Sequence, residues 1–211
     1  MEAQRDDGKI ENGFLEPERI VQAFGLKKGE HVGDFGVGHG YFTVPMARAV
    51  GGDGRVYAID IQKAALDIVR ARAQLEHLLN IEYVWADLDT LRGSGLKDKF
   101  LDFVLISNIL FQVGNRLVLV QEAYRVLRPG GLLAVIEWDA ALRRSIDYPD
   151  DPGGMDSIRS SGGDMGAALG PPAEVRIKKE DARALAAQSG FEFDREFAAG
   201  SHHYGLVFTK R

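Results

Sequence analysis

Residues 33–41 read Gly33-Asp34-Phe35-Gly36-Val37-Gly38-His39-Gly40-Tyr41, and the fold is read outward from this stretch. It closes an apolar run of strand length, His31 to Phe35, and leads into a helical segment, Thr43 to Val50, ended by Gly51-Gly52. Glycines at such a junction let the backbone take positive φ and let a ligand approach amide groups with no Cβ in the way. On either side, strand-length apolar runs alternate with amphipathic helical segments, the pattern of repeated βα units around a parallel sheet. Arg55 to Ile59 is a second strand, and Gln62 to Leu79, with Leu66, Val69 and Ala73 at helical spacing, is the next crossover helix. Ile81 to Trp85 is a third strand, and the nearly unbroken apolar run Phe100 to Ser107 suits a central strand buried on both faces. Arg116 to Leu127 reads as a helix stopped by Pro129-Gly130-Gly131, and Leu132 to Glu137 as a fifth strand. After a stretch rich in Asp, Gly, Pro and Ser over 138–172, helix returns at Lys179 to Ser189, capped by Gly190. Phe191 to Ala198 and Tyr204 to Thr209, joined by a short turn at Gly200, make an antiparallel pair at one edge.

Twenty residues after Gly40 the second strand runs into Asp60. A carboxylate there can accept hydrogen bonds from both ribose hydroxyls of an adenosine ligand held over the glycine turn. The glycine turn alone is weak, and a solvated aspartate alone is weaker, but the two together are specific for a nucleoside site. The spacing is G-x-G-x-G with Tyr41 where dinucleotide turns carry their third glycine, and the lysine and Ser/Thr of a P-loop are missing.

The 211 residues, 45% apolar and 27% charged, suit one globular domain over 1–211, with 138–172 as a variable, lid-like loop. The absence of cysteine removes disulfides, thiolate metal sites and cysteine nucleophiles, and is compatible with a cytoplasmic location. The N-terminal residues lack the basic-then-apolar pattern of a signal peptide, and no apolar run is long enough to span a bilayer, so no membrane insertion is expected. A net charge of −5 argues against a nucleic-acid partner, and the basic pair Arg143-Arg144 is followed by Asp147, Asp150 and Asp151 in what reads as a solvated loop. No metal site is expected, because that Asp-rich stretch lacks a calcium-loop spacing. A monomer or a homodimer is equally compatible with the sequence.

With these residues in place, the chain resembles class I methyltransferases, in particular the small-molecule group that includes the ubiquinone and menaquinone biosynthesis methyltransferases and arsenite methyltransferase-like proteins. The resemblance runs from Phe14-Leu15-Glu16-Pro17-Glu18 to Tyr204-Gly205-Leu206-Val207-Phe208. Residues 32–40 resemble the family's first motif and Tyr57-Ala58-Ile59-Asp60 its ribose-binding strand. Trp85-Ala86-Asp87-Leu88 resembles the adenine-facing motif, Ser107-Asn108-Ile109-Leu110-Phe111 the segment beside the methionine moiety, and Arg125 to Gly131 the turn before strand five. The resemblance implies a Rossmann-like three-layer α/β/α sandwich, with a seven-stranded, mostly parallel sheet in the order 3-2-1-4-5-7-6. It implies S-adenosylmethionine as cofactor, S-adenosylhomocysteine as product and a small-molecule methyl acceptor. The implied cofactor contacts are Asp34, Gly36, Gly38, Gly40, Tyr41, Asp60, Ile61, Asp87, Leu88 and Asn108. Arsenite methylation, which needs cysteine thiolates, is excluded for a chain without cysteine, and the Asn/Asp-Pro-Pro-aromatic motif of amino-methylating nucleic-acid enzymes is absent after strand four.

Methyl transfer needs alignment and exclusion of water more than catalytic side chains, although a general base helps with a protic acceptor. Ligands of open α/β sheets lie beyond the carboxyl ends of the strands, so Asn108, Glu137 and Trp138 should face the acceptor. Glu137 is the first candidate for base or orienter, beside the alternative that it caps a neighbouring helix or pairs with an arginine while Trp138 is core. In His202-His203-Tyr204, alternation sends His202 and Tyr204 to one face and His203 to the other, and His202 is the second candidate. His39 reads as a cofactor-side contact or exposed, and Phe14 and Tyr41 as aromatic residues that close the site or belong to the core. Two rival readings stand beside methyl transfer: a non-catalytic nucleoside-binding regulator, which would lack an enclosed acceptor cavity near Asn108 and Glu137, and a nicotinamide dehydrogenase, which Tyr41 and the terminal hairpin disfavour.

Overall fold

The structure, a computed structural model, describes residues 15–141 and 170–211. Phe14, Arg143-Arg144, the Asp-rich stretch at 147–152 and most of the 138–172 loop lie outside them.

The strands are β1 (His31–Phe35), β2 (Arg55–Asp60), β3 (Ile81–Trp85), β4 (Leu101–Ser107), β5 (Leu127–Trp138), β6 (Phe191–Ala198) and β7 (His203–Lys210). They form one sheet in the order β3-β2-β1-β4-β5-β7-β6, parallel except where β7 pairs antiparallel with both β5 and β6. The helices are α1 (Pro17–Phe24), α2 (Thr43–Val50), α3 (Lys63–Leu75), α4 (Arg116–Val126) and α5 (Lys179–Gln188). Alternation along the central strands explains the three layers. Phe103 and Leu105 of β4 and Ala134 and Ile136 of β5 join Ile20, Met46 and Val69 of α1, α2 and α3 in one core. Val104, Ile106, Leu133 and Val135 join Leu119, Ala123 and Ala186 of α4 and α5 in the other. Burial on both faces is why these strands read as continuous apolar runs.

Helix α1 is an element the sequence reading did not draw. It docks through Phe24, whose ring meets Phe103 at 4.9 Å and Phe197 edge-on at 5.5 Å. Strand β5 also begins earlier than the Pro129-Gly130-Gly131 turn suggested. Leu127 still pairs with Leu101, and Leu132 resumes with Phe103, so two steps along β4 match five along β5. The excess bulges out at Gly130, whose φ of 81° only glycine takes without strain. Among the described residues no helix is long and apolar enough to cross a membrane.

Candidate functional site

The strand order reverses between β1 and β4, and there the turn after β1 meets the segment after β4. Asp34, on β1, is buried and accepts a hydrogen bond from Thr43 Oγ1 of α2 at 2.5 Å. Burial pushes its carboxyl up to about 7, with Thr43 opposing and the Asp60 charge adding to the rise. The amides of the glycine turn are engaged within the protein. Gly36 and Val37 N–H donate to the Ile59 carbonyl at 2.8 and 3.2 Å, Gly40 N–H donates to Val37 at 2.8 Å, and Gly38 N–H donates to Asp60 Oδ2 at 3.1 Å. These four N–H groups are therefore not available to a phosphate, which takes amides that point outward and unpaired.

The three glycines of the turn answer to two different needs. A Cβ at Gly36 would stand 2.4 Å from Ile109 Cδ1, and one at Gly40 would stand 2.9 Å from Val69 Cγ2 of α3, so both permit close packing of protein on protein. Gly38 faces open space, and its need is the positive φ of 48°.

Asp60 ends β2, and its other oxygen accepts from Gln62 N–H at 2.8 Å. A carboxylate has roughly four acceptor positions, which leaves capacity for ligand hydroxyls. It borders a small cavity of about 60 Å³ with Gly36, Ile61, Asp87, Leu88 and Ile109. A larger cavity of about 600 Å³ runs from Asp34, Gly36 and Gly38 past Asn108 to Trp138 and His203. Gly36 borders both. Of the ten cofactor contacts that the sequence implies, only Gly40 lines neither, and Tyr41 is exposed at the mouth of the larger one with Arg72 over its ring.

Asn108 holds a left-handed backbone, φ 54°, which asparagine tolerates better than most residues. Its N–H donates to the Ile136 carbonyl at 2.8 Å, and its carbonyl accepts from Gln112 Nε2 at 2.7 Å. Its side-chain Oδ1 is buried with no hydrogen-bond partner among the described residues, at the wall of the larger cavity. Behind it stands Glu137, 1% exposed, whose Oε1 accepts from Ile109 N–H at 2.9 Å and Leu110 N–H at 2.7 Å. Burial pushes the Glu137 carboxyl up to about 7, against the lowering effect of those two amides and of Arg116.

The register of β5 on β7 pairs Trp138 with His203 and Glu137 with Tyr204. Cross-strand partners share a face, so Trp138 and His203 turn to the cavity while Glu137 and Tyr204 turn to the α4/α5 side, where Tyr204 is core. The histidine brought to the cavity wall is therefore His203, and His202 is not among the lining residues. Burial holds the His203 imidazole down at about 4, with His202 and Arg176 adding to the effect. The signal that would have chosen between the two histidines is a cross-strand pairing, which a single strand's alternation does not contain.

Residues 33–135 match the family described as Methyltransferase domain. The chain resembles class I methyltransferases over this stretch. The sheet order β3-β2-β1-β4-β5-β7-β6 is the one that the resemblance to these methyltransferases implies. The chain is similar to the ubiquinone/menaquinone biosynthesis C-methyltransferase UbiE of Pectobacterium carotovorum, at 30% identity over 127 residues, 60% of this chain and 49% of that protein. The chain thus spans about half the length of that relative. In three dimensions it resembles a SAM dependent methyltransferase from Aquifex aeolicus with a TM-score of 0.75 at 23% identity, covering 94% of this chain and 91% of the other. It also resembles the cyclase SpnF, TM-score 0.67 at 17% identity over 92% of this chain and 80% of that one. At such identities the likeness is one of fold, and the residues of the site must carry the rest.

Proposed function

We propose that the chain transfers the methyl group of S-adenosylmethionine to a small-molecule acceptor, with S-adenosylhomocysteine as the other product. The observation that carries this reading is the pair of cavities meeting at Gly36, one flanked by Asp60 and the other running on to Trp138 and His203. A protein that only bound a nucleoside would need the first cavity and not the second. The phosphate-averse glycine turn favours this cofactor over a nicotinamide dinucleotide.

When bound, the cofactor supplies a methyl group already made electrophilic by its sulfonium. Asp60 would accept the ribose hydroxyls, and Asp87 and Leu88, which line the same small cavity, would border the adenine. Buried Asp34 and the unpartnered Asn108 Oδ1 are two acceptors suited to the ammonium of the amino-acid arm. Glu137 acts as a positioning residue that fixes residues 108–110 and does not itself touch the acceptor. The apolar wall of the larger cavity, with Phe42 and Trp138, excludes water from the line of transfer.

Methyl-labelled S-adenosylmethionine incubated with the purified protein and a fractionated metabolite extract tests this directly. Label is expected on one low-mass compound. Label on protein or nucleic acid alone, or release of no label, would reject the small-molecule reading.

A further inference from the structure

We infer that His203 reads the methyl acceptor: its Nε2 accepts a hydrogen bond from a hydroxyl or N–H on an uncharged, otherwise apolar small molecule that lies over β5 and β7. This rests on the methyl-transfer reading and adds to it the chemistry of the acceptor. Neighbouring strands stand roughly 4.8 Å apart, so β7 lies about 10 Å beyond β4 across the sheet. With the cofactor over the turn of β1 and its arm beside Asn108, the space between Asn108 and His203 is left for the acceptor.

His203 Nε2 is buried and has no hydrogen-bond partner among the described residues. An unpaired buried polar atom costs free energy, and a ligand that supplies its partner recovers it. The ring is held in place. It packs at a tilt of 41° against Trp138 with centroids 4.1 Å apart, and Trp138 in turn packs against Gly170, where a Cβ would come within 2.7 Å of the indole. Arg176 lies over the same indole at 5.4 Å and donates to the carbonyls of Pro171 and Asp139, which holds it there. Among the described residues no lysine or arginine lines the cavity, so these residues offer a carboxylate or phosphate acceptor no counter-charge there. Asp34, the only lining carboxyl among the described residues, sits at the β1 end beside the cofactor. The imidazole, kept neutral by burial with His202 and Arg176 nearby, is a hydrogen-bond acceptor and a poor proton store. His203 is thus a specificity residue, and methyl transfer does not depend on its protonation.

Phenol and toluene, equal in shape and different in one donor, are the probes, used with the full chain saturated with S-adenosylhomocysteine. On wild type, phenol is expected to move the ¹⁵N resonance of His203 Nε2 and toluene to leave it unmoved. His203→Phe, which keeps a ring against Trp138, should weaken phenol about tenfold while changing toluene by less than about twofold. A resonance that phenol does not move, an equal loss of both probes in the variant, or failure of both probes to bind would overturn the inference. Calorimetry of S-adenosylhomocysteine on the same samples separates the two readings: lack of cofactor binding rejects methyl transfer, whereas the phenol and toluene comparison judges His203 by itself.

Discussion

Asp60 and Glu137 both stand near the carboxyl end of a parallel strand, and their hydrogen bonds divide them. Asp60 accepts from two amides with different oxygens and keeps acceptor capacity toward a cavity. Asp60→Ala should therefore weaken S-adenosylhomocysteine binding by roughly 1–3 kcal/mol, read by calorimetry, and unchanged affinity would remove it from the site. Glu137 gives one oxygen to two backbone amides and keeps the other buried without a hydrogen-bond partner among the described residues. Glu137→Ala orphans both N–H groups and should lower stability by about 2–4 kcal/mol in urea unfolding. Glu137→Gln keeps an acceptor oxygen, so it should fold normally and bind S-adenosylhomocysteine as wild type does. A Gln variant that binds the cofactor but transfers no label would make Glu137 the base instead of the anchor. The place of Asp60 was legible because strand, turn and acid follow one another along the chain. The surroundings of Glu137 were not, since they depend on which strand lies opposite and on a segment twenty-eight residues away in sequence.

At the scale of the element, the glycine turn was legible as a turn and opaque as to purpose. Gly36, Gly38 and Gly40 look alike in sequence, yet Ile109 and Val69 explain two of them and backbone conformation the third. Gly38→Ala should cost about 1 kcal/mol, the strain of a left-handed alanine. Gly36→Ala adds to that strain a contact at 2.4 Å, so its urea midpoint should fall further, and Ile109→Ala in the same chain should restore part of the loss. Equal midpoints for the two single variants would contradict the packing explanation. Helix α1 shows the opposite case, a set of local signals present and not assembled. Pro17 at its first turn, Gly25 in the left-handed conformation at its end, and Ile20, Val21 and Phe24 on one face are what a short helix displays. Strand β5 was legible only from Leu132 on, because the Pro-Gly-Gly turn ends a helix and opens a bulge in the same few residues.

Taken over the whole molecule, the titrating groups with shifted affinities pull the stability in opposite directions with pH. Asp34 and Glu137 are raised from 3.8 and 4.5 to about 7, so the folded state favours their neutral forms. The stability they contribute is complete below about pH 4 and is lost as pH rises through 7. Other groups act on the acid side. Burial works against Glu122, but Arg125 and Ser94 outweigh it, while Arg125 and Arg92 hold Asp98 low, so both contribute stability that disappears as pH falls through their folded values. His203, lowered to about 4, binds its proton more readily when unfolded, and its contribution is lost as pH falls below about 6.5. Between about pH 7 and 5 the folded state holds two extra protons, on Asp34 and Glu137, against one extra on the unfolded His203, so stability still rises as pH falls. Below that, the carboxylates of the unfolded chain take up protons and the sign reverses. The thermal midpoint should therefore peak on the acid side of neutrality, near pH 5, and fall toward pH 8. In Asp34→Asn/Glu137→Gln the alkaline fall should flatten while the acid limb stays, because the acid limb belongs to other residues. A wild-type midpoint that climbs steadily from pH 5 to pH 8 would mean that these two carboxyls are ionised in the folded protein, so that burial does not hold them neutral.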